Sequence, residues 1–320
     1  MSPARAAMSA FLHYLGLSAP LFGVVLLGYG VDRLPFWRRA WTQLASRVVF
    51  AVPLPALLFH MMSDRSTSGP VDARLLIAFF GSCFIVFGIG RVIAHAVFRL
   101  DGVAQSVFAL GGIFSNNVLL GVPLARLTLG PRALPSVALV LVFNALTLWT
   151  LVTVSVEWAR NGALNARGLG RTALALLKNP IIIGILGGTT FGLTGATLPP
   201  SLDRALELVG HAAGPLALLV LGMGIGEYGV RDGLRLSLSI CALKLVLQPL
   251  VVWALALALG LPALELQVVV LLASLSVGAN VYLMSAQFET LQGPVASSLV
   301  LSTVLAALTA PLILAAVNGG

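Results

Sequence analysis

The chain has 320 residues, of which 58% are hydrophobic and only 9% are charged, and its mean hydropathy is +1.01. A soluble domain carries about 25% charged residues, so this composition excludes a soluble protein with one large core and predicts a polytopic membrane protein. Lys and Arg in cytoplasmic loops account for the net charge of +8, and we expect no nucleic-acid partner.

Ten stretches are long and apolar enough to cross a membrane, which takes about 20 residues each. They predict an all-α polytopic membrane protein with ten transmembrane helices. The predicted spans are residues 10–31, 41–62, 73–98, 103–127, 133–157, 172–193, 204–226, 233–260, 264–288 and 294–317. A connection rich in Gly, Asn and Arg, residues 161–171, separates residues 1–160 from residues 172–320 as two halves of five helices.

The basic residues predict the orientation, because cytoplasmic loops carry an excess of Lys and Arg. One side holds Arg33, Arg38, Arg39, Arg47, Arg91, Arg99, Arg160, Arg167, Arg171, Lys178, Arg231 and Arg235. The other side holds Arg5, Arg65, Arg74, Arg126, Arg132 and Arg204. The larger group places residues 161–171 in the cytoplasm and both termini outside.

An offset of 160 residues, half the chain length of 320, brings similar features of the two halves into register. The features that coincide are Pro55–Leu58 with Pro215–Leu218, Asp72 with Asp232, and Asn116–Asn117 with Ser276–Gly278. Because each half has an odd number of helices, the second half must enter the membrane from the opposite side. The pattern therefore predicts an inverted repeat, as in many secondary transporters.

The fourth span contains a predicted helix break. Asn116 and Asn117 compete with the backbone for hydrogen bonds. Gly121 loosens the helix that follows, and Pro123 removes a backbone donor. Within a membrane, such a break is tolerated only where it is buried in protein or lines a cavity.

The ninth span repeats this pattern with Ser276, Gly278 and Asn280. Two broken helices in equivalent positions predict a binding site, because a half-helix start offers N–H groups to an anion and asparagine amides add neutral donors and acceptors. The alternative is that the asparagines join neighbouring helices, for about 1 kcal/mol each. We interpret Asn144, alone in the fifth span, in that second way.

Lys244 lies near the middle of the eighth span, where a lysine costs roughly 2.5–3.5 kcal/mol to insert. It can pair with a substrate carboxylate, or it can snorkel or bind a backbone carbonyl, and the sequence leaves both roles open. No Asp or Glu falls at the centre of a predicted span, so proton or sodium coupling also stays open. No metal-ligand spacing, phosphate loop or Ser-His-Asp arrangement is present, and we expect no metal, no cofactor and no enzymatic activity.

Motifs along nearly the whole chain resemble those of the auxin efflux carrier family, bacterial branch. The family's fourth-helix pattern Phe-x-Asn-x-x-x-x-Gly-x-Pro-Leu is met by Phe114, Asn116, Gly121, Pro123 and Leu124. Further similar blocks are Pro55–Phe59, Asn179–Ile182, Pro215–Leu218 with Gly222, Lys244–Leu245 with Gln248–Pro249, and Leu301–Thr303. The sequence of residues 115–121 most resembles that of family members assigned to malonate or related dicarboxylates.

The resemblance implies an inverted 5+5 repeat in which helices 4 and 9 are broken and cross. It also implies a scaffold bundle of spans one, two, six and seven and a moving crossover bundle. We expect the bacterial inner membrane, where the loop charges predict that both termini are periplasmic. The sequence departs from the family at Ser276, where proline is common, so there the break must depend on serine and glycine.

We therefore expect a secondary transporter that moves small organic anions, such as malonate, malate or auxin-like acids, by alternating access. The alternative is a membrane receptor or sensor that binds a small anion without moving it. The expected partners are the anion and the lipid bilayer, and a homodimer stays open. The candidate substrate-binding residues are Asn116, Asn117, Ser276, Gly278, Asn280 and Lys244, and the helix-break residues are Gly121 and Pro123.

Overall fold

The structure, a computed structural model, describes residues 3–63, 72–161, 178, 180–226 and 233–319. Most of the predicted connection 161–171, the start of the predicted sixth span, Asn179 and Asp232 lie outside these ranges. The described helices are α1 Pro3–Asp32, α2 Arg39–Ala51, α3 Pro53–Ser63, α4 Arg74–Ala96, α5 Gly102–Gly111, α6 Val122–Thr128, α7 Leu134–Asn161, α8 Pro180–Leu193, α9 Pro200–Gly226, α10 Leu234–Ala242, α11 Gln248–Ala258, α12 Ala263–Ala273, α13 Ala279–Gln287 and α14 Gln292–Gly319. Wider π turns cover Asn117–Gly121 and Leu243–Leu247, and a short 3₁₀ turn covers Pro131–Ala133.

The described part of the chain is helical throughout and holds no strand beyond one isolated antiparallel bridge, between Ser115 and Val277. Six of its helical segments are long and apolar enough to cross a membrane, or seven if the bent first helix counts as one span. The six are Arg39–His60, Arg74–Ala96, Pro131–Arg160, Pro200–Gly224, Leu234–Ala258 and Gln292–Val317. The prediction of an all-helical, multi-pass membrane protein is confirmed.

The number of helices long enough to cross a membrane is lower than the ten predicted spans. Several predicted spans are not single long helices in the structure. The fourth is divided into α5 and α6, and the ninth into α12 and α13. Each piece is too short to cross alone, as is α8, the described part of the sixth. The sequence predicted these broken spans from their Asn, Gly and Pro residues. A criterion of helix length misses them, because each half is shorter than a membrane-crossing helix.

Two helix pairs pack with their backbones in close contact. A Cβ atom on Gly28 of α1 would lie 2.1 Å from the Leu219 carbonyl oxygen of α9. A Cβ atom on Gly188 of α8 would lie 2.4 Å from the Phe59 carbonyl oxygen of α3. Small residues allow this approach, which is a usual device of helix packing in membranes. With the contact between α3 and α9, these pairs join α1, α3, α8 and α9 into one group.

A second group of helices holds the two broken spans. Helix α4 packs on α5 and α11, α11 packs on α12, and α7 packs on α5. The long helix α14 contacts α10, α12 and α13 and also reaches α1 in the first group. The broken spans therefore lie among other helices, where their irregular backbone is covered by protein.

One buried side-chain pair holds the ends of the first halves of both broken spans. Lys244 is 0% exposed, and its ammonium donates to the Ala273 carbonyl at the end of α12 and, at 2.7 Å, to Gln248 Oε1. Gln248 Nε2 donates at 3.0 Å to the Ile113 carbonyl, just after α5. The last carbonyls of a helix have no partner within the helix and carry the negative end of its dipole, so this pair satisfies groups of both ends.

We predict that Gly222→Ala destabilises the contact between α1 and α9. The added Cβ would meet the Val25 carbonyl oxygen at 1.9 Å, and such overpacking costs about 1–3 kcal/mol. Gly224→Ala, in the same helix, is the matched control because nothing lies within 4 Å of its Cβ position. The melting temperature of the purified protein in detergent should fall for the first variant only, and equal melting of the two would contradict this packing.

We also predict that Gln248→Leu lowers the free energy of unfolding by about 1–3 kcal/mol, because the Ile113 carbonyl and the Lys244 ammonium each lose a partner. Gln43→Leu, at an exposed position of α2, is the control and should melt like the wild type. Thermal unfolding followed by circular dichroism measures both. A Gln248→Leu protein as stable as the control would show that this pair does not hold the helix ends.

Candidate functional site

The breaks of the fourth and ninth spans meet in the protein interior. The Asn116 N–H donates to the Ser276 carbonyl at 2.9 Å, and the Gly278 N–H donates to the Phe114 carbonyl at 2.8 Å. These two bonds make the isolated antiparallel bridge, which we call the crossover (residues 114–117 and 276–278). Four backbone groups that the helix breaks release are thereby satisfied by each other.

The crossover forms without the proline common in the family, because Ser276 contributes its carbonyl and Gly278 allows close approach. A Cβ atom on Gly278 would lie 3.0 Å from the Phe114 ring and 3.0 Å from the Ser115 carbonyl oxygen. On the other chain segment, the Asn116 carbonyl accepts from Leu120 and Gly121 at 3.2 and 3.1 Å, which starts the π turn. Pro123 follows at the start of α6, directly after this π turn.

Four side-chain atoms at the crossover are buried without a hydrogen-bond partner in the described part of the chain. They are Ser115 Oγ, Asn116 Nδ2, Asn117 Oδ1 and Ser276 Oγ. The four residues are at most 6% exposed. An unpaired buried polar atom costs about 1–3 kcal/mol, so a cluster of four calls for a ligand or bound water to satisfy it.

Two further helices contribute polar groups to the crossover. Asn144 of α7 accepts from Asn117 Nδ2 at 3.5 Å, and Ser302 of α14 accepts from the Val277 N–H at 2.9 Å. The sequence predicted that Asn144 joins neighbouring helices, and the structure gives it such a contact, although with a crossover residue. Ser302 was noted only within a family block, and its small hydroxyl in an apolar span was the available signal.

The remaining predicted residues lie around the crossover rather than in it. Asn280 is half-buried in the first turn of α13. The Lys244 ammonium binds the carbonyl of Ala273, three residues before Ser276, so its contact is with the segment that leads into the crossover. Of the two roles left open for Lys244, the structure contains the backbone-carbonyl contact. No group of three or more His, Cys, Asp or Glu side chains that could hold a metal is found among the described residues.

The chain is similar to known membrane transport proteins. A protein of Rhizobium meliloti (strain 1021), which carries the provisional name of malonate transporter, is 28% identical over 319 residues, covering 95% of this chain and 96% of that protein. The model of a family described as membrane transport protein matches residues 14–314. The chain therefore belongs to this family of membrane transport proteins, the auxin efflux carrier family.

Proposed function

We propose that this protein is a secondary transporter of small organic anions, with malonate or a related dicarboxylate bound at the crossover. The observation that carries the proposal is a cluster of four buried polar atoms that have no partner within the described ranges. They belong to Ser115, Asn116, Asn117 and Ser276. The provisional name of the Rhizobium relative supports the substrate class.

The crossover suits a carboxylate because it offers neutral donors together with two half-helix starts. Asn116 Nδ2 and the serine hydroxyls can donate to carboxylate oxygens. The second halves of the broken spans start at Asn117 and Ala279, and the first N–H groups of a helix attract an anion. Asn117 Oδ1 is an acceptor, so a protonated carboxyl or a hydroxyl of the substrate would complete it.

In this proposal Lys244 positions the site without touching the substrate. Its side-chain nitrogen donates to the Ala273 carbonyl and so holds the segment that leads to Ser276 and Gly278. Asn280, in the first turn of α13, extends the polar lining beside Gly278.

We further propose that residues 1–160 and 172–320 form the predicted inverted repeat of ten helices, with α5–α6 and α12–α13 as its broken spans. Three contacts support it. The bonded pair Asn116 and Ser276 are 160 residues apart, as are Gly28 and Gly188, and the carbonyls that these glycines face, those of Leu219 and Phe59, are also 160 apart. An inverted repeat supplies two opposite-facing states around one central site, which is the basis of alternating access.

We also propose that the protein lies in the bacterial inner membrane, and the excess of basic residues on one side supports periplasmic termini. Counterflow tests the proposal: proteoliposomes loaded with unlabelled malonate should accumulate labelled malonate, and empty control liposomes should not. Malate and an indole acid, tested in the same way, define the substrate class. Measurable binding with no flux of any of these acids would overturn the transporter assignment and favour the receptor alternative.

We predict that Asn116→Asp abolishes malonate uptake while the protein stays folded, because the change keeps the side-chain size but replaces a donor amide with a repelling carboxylate. Thr128→Ala is the control, since that hydroxyl donates to the Leu124 carbonyl within α6 and faces no unpaired group. Initial uptake rates and melting temperatures measure both variants. Wild-type uptake by Asn116→Asp would remove Asn116 from the site.

A further inference from the structure

A cleft of about 290 Å³ lies outside the crossover, between α1, α3, α6 and α9. Its walls are mainly apolar, and they include Leu21, Leu57, Val122 and Leu127. Two basic side chains, Arg126 and His211, share this lining. An apolar cavity with a few polar groups is the usual form of a small-molecule site.

Arg126 is a cation that can bind an anion in this cleft. Its side chain is half-buried in the last turn of α6, and no carboxylate of the described residues pairs with it. His211 differs, because its Nε2 lies 3.8 Å from a carboxylate oxygen of Glu207. A guanidinium binds a carboxylate through two parallel N–H groups, and partial burial strengthens that bond.

The cleft and the crossover share one half-helix. Helix α6 begins directly after the π turn that starts at Asn117, and Arg126 follows Asn117 by nine residues. At 1.5 Å per residue, the two backbone positions are about 13 Å apart along the axis. Pro123, between them, also lines the cleft. A small anion bound by Arg126 would therefore lie next to the same half-helix that begins at the crossover.

We propose that this cleft is a docking site for small carboxylates, in which Arg126 binds the anion before it passes to the crossover. The inference rests on the proposed function for the direction of that step, but the binding itself does not require transport. The apolar walls accept the short carbon chain of a dicarboxylate, while the guanidinium selects its charged end. Inorganic anions of similar charge lack the apolar part and should bind less well.

Thiol protection in the purified protein tests the docking site without measuring flux. Leu127 is 44% exposed in the cleft wall, and the native Cys83 and Cys241 are buried, so labelling of Leu127→Cys by a charged maleimide reports on the cleft. We expect malonate to slow this labelling severalfold. Adding Arg126→Gln should remove the protection, and adding Arg132→Gln, at an exposed position of the neighbouring turn, should preserve it. Unslowed labelling, or protection that survives Arg126→Gln, would overturn the proposal.

Uptake kinetics provide the second measurement and use no cysteine variant. Arg126→Gln should raise the KM for external malonate about tenfold or more, because a charged hydrogen bond is lost, with little change in the maximal rate. An unchanged KM would also overturn the proposal. Protection in a protein that shows no flux would keep the docking site and reject the transporter assignment, whereas flux without protection would do the reverse.

Discussion

The structure depends on the two backbone hydrogen bonds that join the broken spans, from Asn116 to Ser276 and from Gly278 to Phe114. A membrane offers no water to satisfy an interrupted helix, so each break would be costly by itself. Because the two breaks lie against each other, each supplies hydrogen-bond partners for backbone groups of the other. Lys244 and Gln248 then bind carbonyls at the ends of the two preceding half-helices.

The backbone and the side chains of the crossover differ in how far their hydrogen bonds are satisfied. The backbone at the crossover is paired, which fixes the position of the two chain segments. Four side-chain atoms in the same place have no hydrogen-bond partner among the residues that the structure describes. A site with paired backbone and unmet side-chain hydrogen-bonding capacity is preorganised for a polar ligand, because its polar groups are already buried in the folded protein. In the proposed function, the neutral donors of the crossover suit an anion that is held weakly enough to be released.

The sequence predicted this site to the extent that composition and local chemistry determine it. Asn116, Asn117 and Gly278 are unusual inside apolar segments, and the 160-residue offset indicated that the two breaks correspond. It did not reveal that the bonded pair would be Asn116 and Ser276, because the pairing of two distant segments is a property of the packed fold. The expected proline was replaced by Ser276 without loss of the crossing, since the bond uses the Ser276 carbonyl. Ser302 and Gln248 lie in blocks that resemble the family, but the sequence assigned them no contact, and the Arg126 cleft has no motif. Only three-dimensional packing identifies what these residues do.

In the proposed function, the four buried side-chain atoms of Ser115, Asn116, Asn117 and Ser276 bind the substrate anion. A structure of the protein with bromomalonate, determined from crystals with the anomalous signal of bromine, tests it most directly. We expect a bromine peak next to the side chains of Asn116, Asn117 and Ser276, with carboxylate oxygens within hydrogen-bond distance of Asn116 Nδ2. A bound molecule found only elsewhere, with the crossover side chains still unpartnered or satisfied by water alone, would contradict it.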